Sequence, residues 1–353
     1  MDITKVSEKG FKKSLSMTFR LFSELLLGKF DKQTLKKIFS SKELLAAFRS
    51  CYSSEDGDVL AEFASDHYRI FGLRISPYAA SYLTMNSVEQ SQMEDSLKLL
   101  YSKNDFFYPI LEAERVDHIG VELLYLSFLL DKDLEDDNVT DTGQAQLEFL
   151  QWHVLSWIVP FKQNLDDSSV SFFSLLLNSL VEVLHLYWIS LRKDQHTELS
   201  LAGRACKKET VADILPTIVS EGDLNLESSS LVQQLINSPD TDLKALRHFF
   251  MTPFACGFFL CRNEIERIGL CHQLPISFGS RSQCFASLLQ SSMDYGRFGN
   301  VVADLIVVVE KWRAGYDAYS KDFSLFYDSW NKKCQDAHLL LTKMQEKLKE
   351  SHG

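Results

Sequence analysis

The scarcity of residues that interrupt helices is the strongest constraint on how this chain folds. Its 353 residues include only 15 glycines and 7 prolines, whereas a protein built from many short strands needs a turn every few residues. Apolar residues recur at helical spacing in several segments, and no alternation of strands with helices occurs. The sequence therefore predicts an all-α protein.

The length and a change of composition predict two domains. A chain of 353 residues is more than twice the size of a typical domain. Residues 193–240 are rich in charges and serine and contain Pro216 and Pro239 as helix breakers. We predict a helical bundle over residues 1–192, a linker over 193–240 and a second, smaller helical domain over 241–353.

Several local features follow from the helical pattern. The stretch 117–130 is almost continuously apolar and predicts a central helix that is buried all round. The acidic residues of 131–137 predict a loop after it. Ser40 and Glu43 predict a capping box at a helix start, and Pro160 predicts a helix end.

The charge distribution limits the partners of the protein. The formal net charge is −11, which disfavours nucleic acid because phosphate contacts need a basic surface. Residues 1–50 carry eleven Lys and Arg against five Asp and Glu, so this segment is basic and the rest of the chain is acidic. An acidic body suits a cationic peptide partner, and a merely solvated surface is the alternative.

Neither metal binding nor membrane insertion is predicted. The seven cysteines include no CxxC pair, and the spacing of Cys256, Cys261 and Cys271 matches no standard zinc site. Free thiols are typical of a reducing cytoplasm. The most apolar stretch, 170–191, contains Glu182 among other polar residues, so we predict a buried helix and no stable membrane insertion.

Signatures of common enzymes are absent from the sequence. It contains no phosphate-binding loop, no GxSxG nucleophile turn, no HExxH zinc helix and no Rossmann glycine run. His67, His118 and His153 lie among apolar neighbours, where a histidine is usually part of the core. We predict a protein that is not an enzyme and has no cofactor or metal; a haem or metal bundle is the alternative.

Three blocks of residues carry a resemblance to a known family. The blocks are Tyr68-Arg-Ile-Phe71 with Pro77-Tyr78-Ala-Ala-Ser81-Tyr82-Leu83, then Glu114-Arg-Val-Asp117-His118-Ile119 with Glu122-Leu123, and Phe149-Leu150 with His153, Leu155, Trp157, Pro160 and Phe161. In order and spacing they resemble motifs of the TorD/DmsD family of redox-enzyme maturation chaperones over residues 14–192. The chain departs from the family pattern at Arg115, where proline is preferred, and at Ala79-Ala80, where Glu-Ser is usual.

The resemblance implies a TorD-like helical bundle and a cytoplasmic chaperone. Such a protein binds the twin-arginine signal peptide, the apo form of a molybdopterin oxidoreductase subunit, or both, and holds the subunit until its cofactor is inserted. It leaves homodimer formation open. A helical adaptor for a cytoplasmic, non-exported partner is the alternative from another class.

The same motifs supply the candidate binding residues. Carboxylates are the natural partners of guanidinium groups, and aromatic side chains would wall the apolar part of the groove, although each of them could instead be core. Asp117 could instead cap a helix. The candidates are Glu114, Asp117, His118, Glu122, Tyr78, Tyr82, His153, Trp157 and Phe161.

The C-terminal region resembles an extension found in some longer TorD-like chaperones. The residues that carry this second resemblance include Thr252-Pro253, Gly257 to Leu260 and Phe278 to Arg281. It implies no known activity. We predict a helical packing or dimerisation module over residues 241–353.

Overall fold

The computed structural model describes residues 3–52, 59–107, 115–135, 142–165, 171–201, 232–236, 242–319 and 324–350. Within these residues the chain is all-α, as predicted, and contains no strand. The helices before residue 202 are α1 (Ile3–Leu26), α2 (Lys32–Ser40), α3 (Lys42–Cys51), α4 (Val59–His67), α5 (Ala80–Leu83), α6 (Ser87–Lys103), α7 (Ile119–Glu135), α8 (Thr142–Phe149), α9 (Ser156–Leu165) and α10 (Phe172–Leu201). The helices after residue 241 are α11 (Leu243–Met251), α12 (Pro253–Cys256), α13 (Arg262–Cys271), α14 (Arg281–Asp294), α15 (Phe298–Asp317) and α16 (Ser324–Glu350).

Two short π-helical segments lie within these runs of helix. Tyr68–Gly72 continues α4, and Leu150–Leu155 joins α8 to α9 without a break. π-helical turns are rare and are frequently found at functional sites. Both segments fall within the motif blocks that carry the family resemblance.

The residue contacts divide the chain into two compact units. The first contains residues 1–80, 88–158 and 165–217, and the second contains 81–87, 159–164 and 218–353. Two short pieces of the motif blocks therefore belong to the same unit as the C-terminal helices. Most of the predicted linker, 202–231 and 237–240, lies outside the described residues, and the predicted domain bounds stay a prediction.

In the first unit, α1 packs along α7. Ser23 Oγ donates to the backbone oxygen of Gly120 at 2.6 Å, and Ser16 and Ser127 share a hydroxyl contact at 2.9 Å. A side chain at Gly120 would lie 2.6 Å from Cγ of Leu27, so glycine permits this close approach. Serine and glycine at the contact thus allow α1 to pack closely against α7, which is the central buried helix predicted from the sequence.

A cluster of phenylalanine rings lies in the same unit. Phe63 stacks on Phe30 with ring centroids 3.5 Å apart and packs edge-on against Phe172 at 5.6 Å. Phe48 packs against Phe172 at 5.7 Å. Offset and edge-to-face pairs of this kind add packing energy beyond the apolar area they bury. The cluster ties α3 and α4 to the start of α10.

The predicted acidic loop is wrong for the part of it that the structure describes. Asp131 and Asp133 lie on α7, which continues to Glu135. Arg20 of α1 pairs with Asp131, and Lys12 lies 3.0 Å from Asp133. These ion pairs with the basic N-terminal helix hold the last turns of α7 in place, while residues 136–137 lie outside the described range.

Two predicted helix boundaries are also wrong. Ser40 is the last residue of α2, and Ser41 is the N-cap of α3, accepting the backbone N–H of Leu44 at 3.3 Å. Pro160 lies inside α9 and does not end it. The neighbours Trp157 and Phe161 are fully buried, and their burial offsets the one backbone hydrogen bond that proline removes.

One helix among the described residues is long and apolar enough to cross a membrane. It covers Phe172–Arg192, and 56% of its most apolar window is buried inside the protein. The predicted buried helix is therefore confirmed only in part, because just over half of it is buried and Glu182 and Leu186 are exposed.

In the second unit, a left-handed glycine ends α12 against α16. Gly257 has a φ of +84°, and its backbone oxygen accepts the Tyr316 hydroxyl at 2.8 Å and the Cys334 thiol at 3.2 Å. A Cβ there would lie 2.5 Å from the backbone nitrogen of Cys334 and the backbone oxygen of Trp330. Only glycine fits both this conformation and this approach of two main chains.

Candidate functional site

Two motif blocks that lie far apart in the sequence are joined by backbone hydrogen bonds. Tyr78 and His118 form an isolated antiparallel bridge. The N–H of Ala79 donates to the oxygen of Asp117 at 3.0 Å, and the N–H of Ile119 donates to the oxygen of Pro77 at 2.9 Å. The structure therefore brings together the two segments that contain most of the candidate residues predicted from the sequence.

Asp117 is the buried centre of this junction. Its side chain has no exposed surface, and it accepts the backbone N–H of Ala80 at 2.9 Å. Arg115 donates to the same carboxylate through Nε at 2.9 Å and through Nη2 at 2.7 Å. Burial raises the pKa of Asp117, while Arg115 and the Ala80 N–H act in the opposite direction. The alanines at 79–80 leave this contact intact because it uses the backbone.

Arg115 has two further partners. Its Nε lies 3.0 Å from Oε1 of Glu94 on α6, and its guanidinium carbon lies 4.7 Å above the ring of Tyr78. Sequence reasoning treated Arg115 only as a departure from the family pattern and did not single out Glu94. The signal available in the sequence was that Arg115 stands two residues before Asp117. Glu94 gave no signal, because nothing in the sequence distinguishes it from the other two acidic residues of α6.

His118, and not Asp117, caps the start of α7. Its Nδ1 accepts the backbone N–H of Gly120 at 3.0 Å, and its backbone oxygen accepts the N–H of Glu122 at 3.1 Å. Burial lowers the pKa of His118 to about 3, with smaller contributions from His67 and Arg115. The ring is therefore neutral near pH 7, as an acceptor at Nδ1 must be.

Glu122 and Trp157 lie deeper in the first unit. Trp157 Nε1 lies 3.2 Å from Oε2 of Glu122 and 2.6 Å from the backbone oxygen of His153. Oε1 of Glu122 is buried and has no partner among the described residues. Burial, assisted by the charge of Asp117, raises the pKa of Glu122 well above its ordinary value.

The buried Glu122 predicts a stability that falls with rising pH. Because folding raises the pKa of this carboxyl group, its contribution to stability is most favourable below about pH 4.5, which is the pKa of the group in the unfolded chain. Each pH unit above that costs the wild type about 1.4 kcal/mol until the group ionises in the folded protein. Glu122→Gln keeps an acceptor for Trp157 and cannot ionise, so urea unfolding should show a growing advantage for the variant from pH 5 to pH 8.

The exposed Glu182 on α10 provides the matched control. Glu182→Gln removes one carboxylate from the surface and should change the free energy of unfolding by at most about 0.5 kcal/mol. An advantage of Glu122→Gln that does not grow with pH would show that Glu122 is already ionised in the folded protein.

His153 is buried and makes no hydrogen bond from its side chain among the described residues. Neither ring nitrogen has a partner, and the ring stacks on Phe149 with centroids 4.8 Å apart. Burial lowers the pKa of His153 to about 4. The residue therefore behaves as a neutral core side chain.

This burial predicts a loss of stability in mild acid. Because the folded pKa of His153 lies below its unfolded value of 6.5, stability is present above pH 6.5 and is lost as the pH falls towards 4, by up to about 3 kcal/mol. His153→Leu should remove this part of the acid sensitivity in thermal melts. His248→Leu, at an exposed position, controls for the exchange of histidine for leucine as such. Equal acid sensitivity in wild type and His153→Leu would contradict the expectation.

Two of the predicted aromatic residues belong to the second unit. Tyr82 is fully buried, with its ring centroid 5.3 Å from that of Phe259 and 6.1 Å from that of Phe161. Asn164 donates to the Tyr82 hydroxyl at 3.5 Å. Tyr82 and Phe161 therefore pack in a core together with Phe259 from the C-terminal region. Of the other candidates, Glu114 lies outside the described residues.

The polar groups of the site do not form a metal centre. Among the described residues, no group of three or more His, Cys, Asp and Glu side chains is placed to hold a metal ion. The arrangement holds a guanidinium group, a buried carboxylate and neutral histidines.

Comparison with known proteins finds a family similarity for part of the chain. The family model for the nitrate reductase delta subunit matches residues 39–163. The match includes the paired segments around Tyr78 and Asp117 as well as His153 and Trp157. That family consists of chaperones for the maturation of molybdenum enzymes. No curated protein and no solved structure matches the chain.

Proposed function

We propose that the protein is a cytoplasmic chaperone for a molybdopterin oxidoreductase subunit, which we call the client. It binds the twin-arginine signal peptide of the client, its apo form, or both, and holds the client until the cofactor is inserted. The observation that carries this proposal is the family match over residues 39–163. It covers the segments that the structure joins through Asp117.

The acidic character of the chain supports binding of a basic leader. The net charge of −11 steers a peptide with two arginines towards the protein. Exposed ion pairs contribute only about 0–1 kcal/mol each, whereas micromolar binding requires about 8 kcal/mol. Most of the binding energy must therefore come from burial of the apolar part of the leader.

Exposed apolar side chains that lie within or near the motif blocks along the sequence offer that burial. Tyr68 is 62% exposed, Leu73 is 60% exposed and Phe107 is 83% exposed. By contrast, Tyr82, Trp157 and Phe161 have no exposed surface. We therefore assign the first contact with a leader to the exposed set, and the buried aromatics to support of the helices behind it.

A calorimetric titration with a leader peptide tests the proposal. The wild type should bind a twin-arginine leader with micromolar affinity and bind a variant with both arginines changed to lysine at least tenfold more weakly. Leu73→Ser should weaken binding of the leader about tenfold, through loss of about 1.4 kcal/mol of apolar contact. Leu186→Ser, at an exposed position on α10, is the matched control and should bind as the wild type does.

The titration also separates the alternative function. Equal binding of the arginine and lysine leaders would contradict recognition of a twin-arginine signal. Together with binding of a subunit that lacks any leader, it would favour a helical adaptor for a cytoplasmic, non-exported partner.

A further inference from the structure

The residues around Arg115 have the composition of a binding site for a guanidinium group. Asp117 offers both carboxylate oxygens to Nε and Nη2 of Arg115, at 2.9 and 2.7 Å. Glu94 approaches Nε from α6 at 3.0 Å, and the Tyr78 ring lies under the guanidinium carbon at 4.7 Å. A bidentate carboxylate, a second carboxylate and an aromatic face are the contacts that favour arginine over lysine.

The walls of this site are held by contacts that do not depend on Arg115. The Asp117 carboxylate is fixed by the Ala80 N–H at 2.9 Å, and the Asp117 backbone oxygen by the Ala79 N–H at 3.0 Å. Gln90 donates to Oε1 of Glu94 at 3.0 Å on the same helix. These contacts do not involve Arg115, so they remain when it leaves and lower the cost of ordering the site around another guanidinium.

The exposure of the side chains shows where a ligand can enter. Asp117 is completely buried, whereas the side chains of Arg115 and Glu94 are 23% and 20% exposed. The guanidinium thus reaches a buried carboxylate from the solvent side. Arg115 is only two residues from Asp117 in the chain, so its departure requires movement of a side chain and not of a helix.

We propose that Asp117, Glu94 and Tyr78 form a guanidinium-binding site for an arginine of the client peptide, and that Arg115 occupies this site in the free protein as an intramolecular competitor. The identity of the incoming arginine rests on the proposed function. The arginine of the client and Arg115 cannot occupy the site at the same time, so Arg115 weakens the binding of every client. A leader must therefore displace Arg115 before it binds. On release of the client, Arg115 returns and closes the site.

A small probe tests the site without any leader peptide. N-acetylarginine methylamide and N-acetyllysine methylamide are titrated into wild type and Arg115→Ala, and binding is followed by calorimetry. Arg115→Ala should bind the arginine probe at least tenfold more tightly than the wild type does, and at least tenfold more tightly than it binds the lysine probe. Equal affinity of both proteins for the arginine probe, or equal affinity of Arg115→Ala for both probes, would overturn the proposal.

A second measurement covers the case in which Arg115→Ala folds poorly. The arginine probe should raise the melting temperature of Arg115→Ala, because it refills the vacant site and binds only the folded state. The lysine probe should not raise it, and neither probe should raise that of the wild type. Absence of an arginine-specific shift in Arg115→Ala would also overturn the proposal.

The failure of this proposal and that of the proposed function are distinguishable. The small probes report only on the site around Asp117, whereas the leader titration reports on the chaperone activity. Arginine-specific binding of the probe by Arg115→Ala, with no binding of a leader to any variant, would keep the guanidinium site and reject the proposed client. Leader binding that weakens in Arg115→Ala would show that Arg115 itself contacts the client and would overturn the competitor role.

Discussion

Asp117→Ala is expected to lower the free energy of unfolding by about 4 kcal/mol. The substitution leaves the buried N–H of Ala80 without an acceptor and removes the bidentate partner of Arg115, and each loss is costly in a buried position. It also removes the side-chain contact between the two motif segments, while their backbone hydrogen bonds remain. The measurement is urea unfolding at pH 7, followed by far-ultraviolet circular dichroism.

Asp95→Ala is the control for this prediction. Asp95 lies on α6, its side chain is 75% exposed, and its only described ion pair is with Lys98 at 3.1 Å. We expect a change of at most about 0.5 kcal/mol there. If Asp117→Ala is as stable as Asp95→Ala, the carboxylate is not a structural centre, and its contacts serve ligand binding alone.

Gly257→Ala is expected to destabilise the second unit by about 4 kcal/mol or more. Alanine costs about 1–2 kcal/mol in the left-handed conformation that Gly257 adopts, at a φ of +84°. Its methyl group would also lie 2.5 Å from two backbone atoms of α16, which cannot move without displacing the helix. Thermal unfolding should show a lower melting temperature for the variant.

Gly299→Ala provides the matched substitution in the same unit. The nearest atom to a Cβ at Gly299 is Cδ1 of Leu348, 3.9 Å away, and the residue lies in the first turn of α15. Because alanine favours helix over glycine, we expect this variant to be as stable as the wild type or slightly more stable. Equal losses at Gly257 and Gly299 would contradict the close approach of α12 and α16.

The helical architecture was predictable because it depends on short-range pattern. The spacing of apolar residues and the low number of glycines and prolines predicted an all-α chain, and the apolar stretch after Asp117 predicted the central helix α7. The errors arose where tertiary contacts override local signals. The acidic residues Asp131 and Asp133 predicted a loop, but they form ion pairs with α1 and lie on a helix. Pro160 predicted a helix end, but burial of Trp157 and Phe161 stabilises α9 across it.

The candidate site was only partly predictable for the same reason. Tyr78, Asp117 and His118 share one junction, and they were found because their motif spacing is local. The contact of Arg115 with Glu94 joins residues 21 positions apart on different elements, and no periodicity encodes it. Likewise, nothing around Tyr82 signals that its aromatic partner is Phe259.

Binding of the client subunit in its apo and cofactor-loaded forms is the most direct test of the central claim. The full-length protein is immobilised, and each form of a molybdopterin oxidoreductase catalytic subunit, with its leader intact, is passed over it in a biosensor. The account predicts at least tenfold tighter binding of the apo form, since a maturation chaperone must release its client after cofactor insertion. Equal affinity for both forms, or binding to neither, would contradict it.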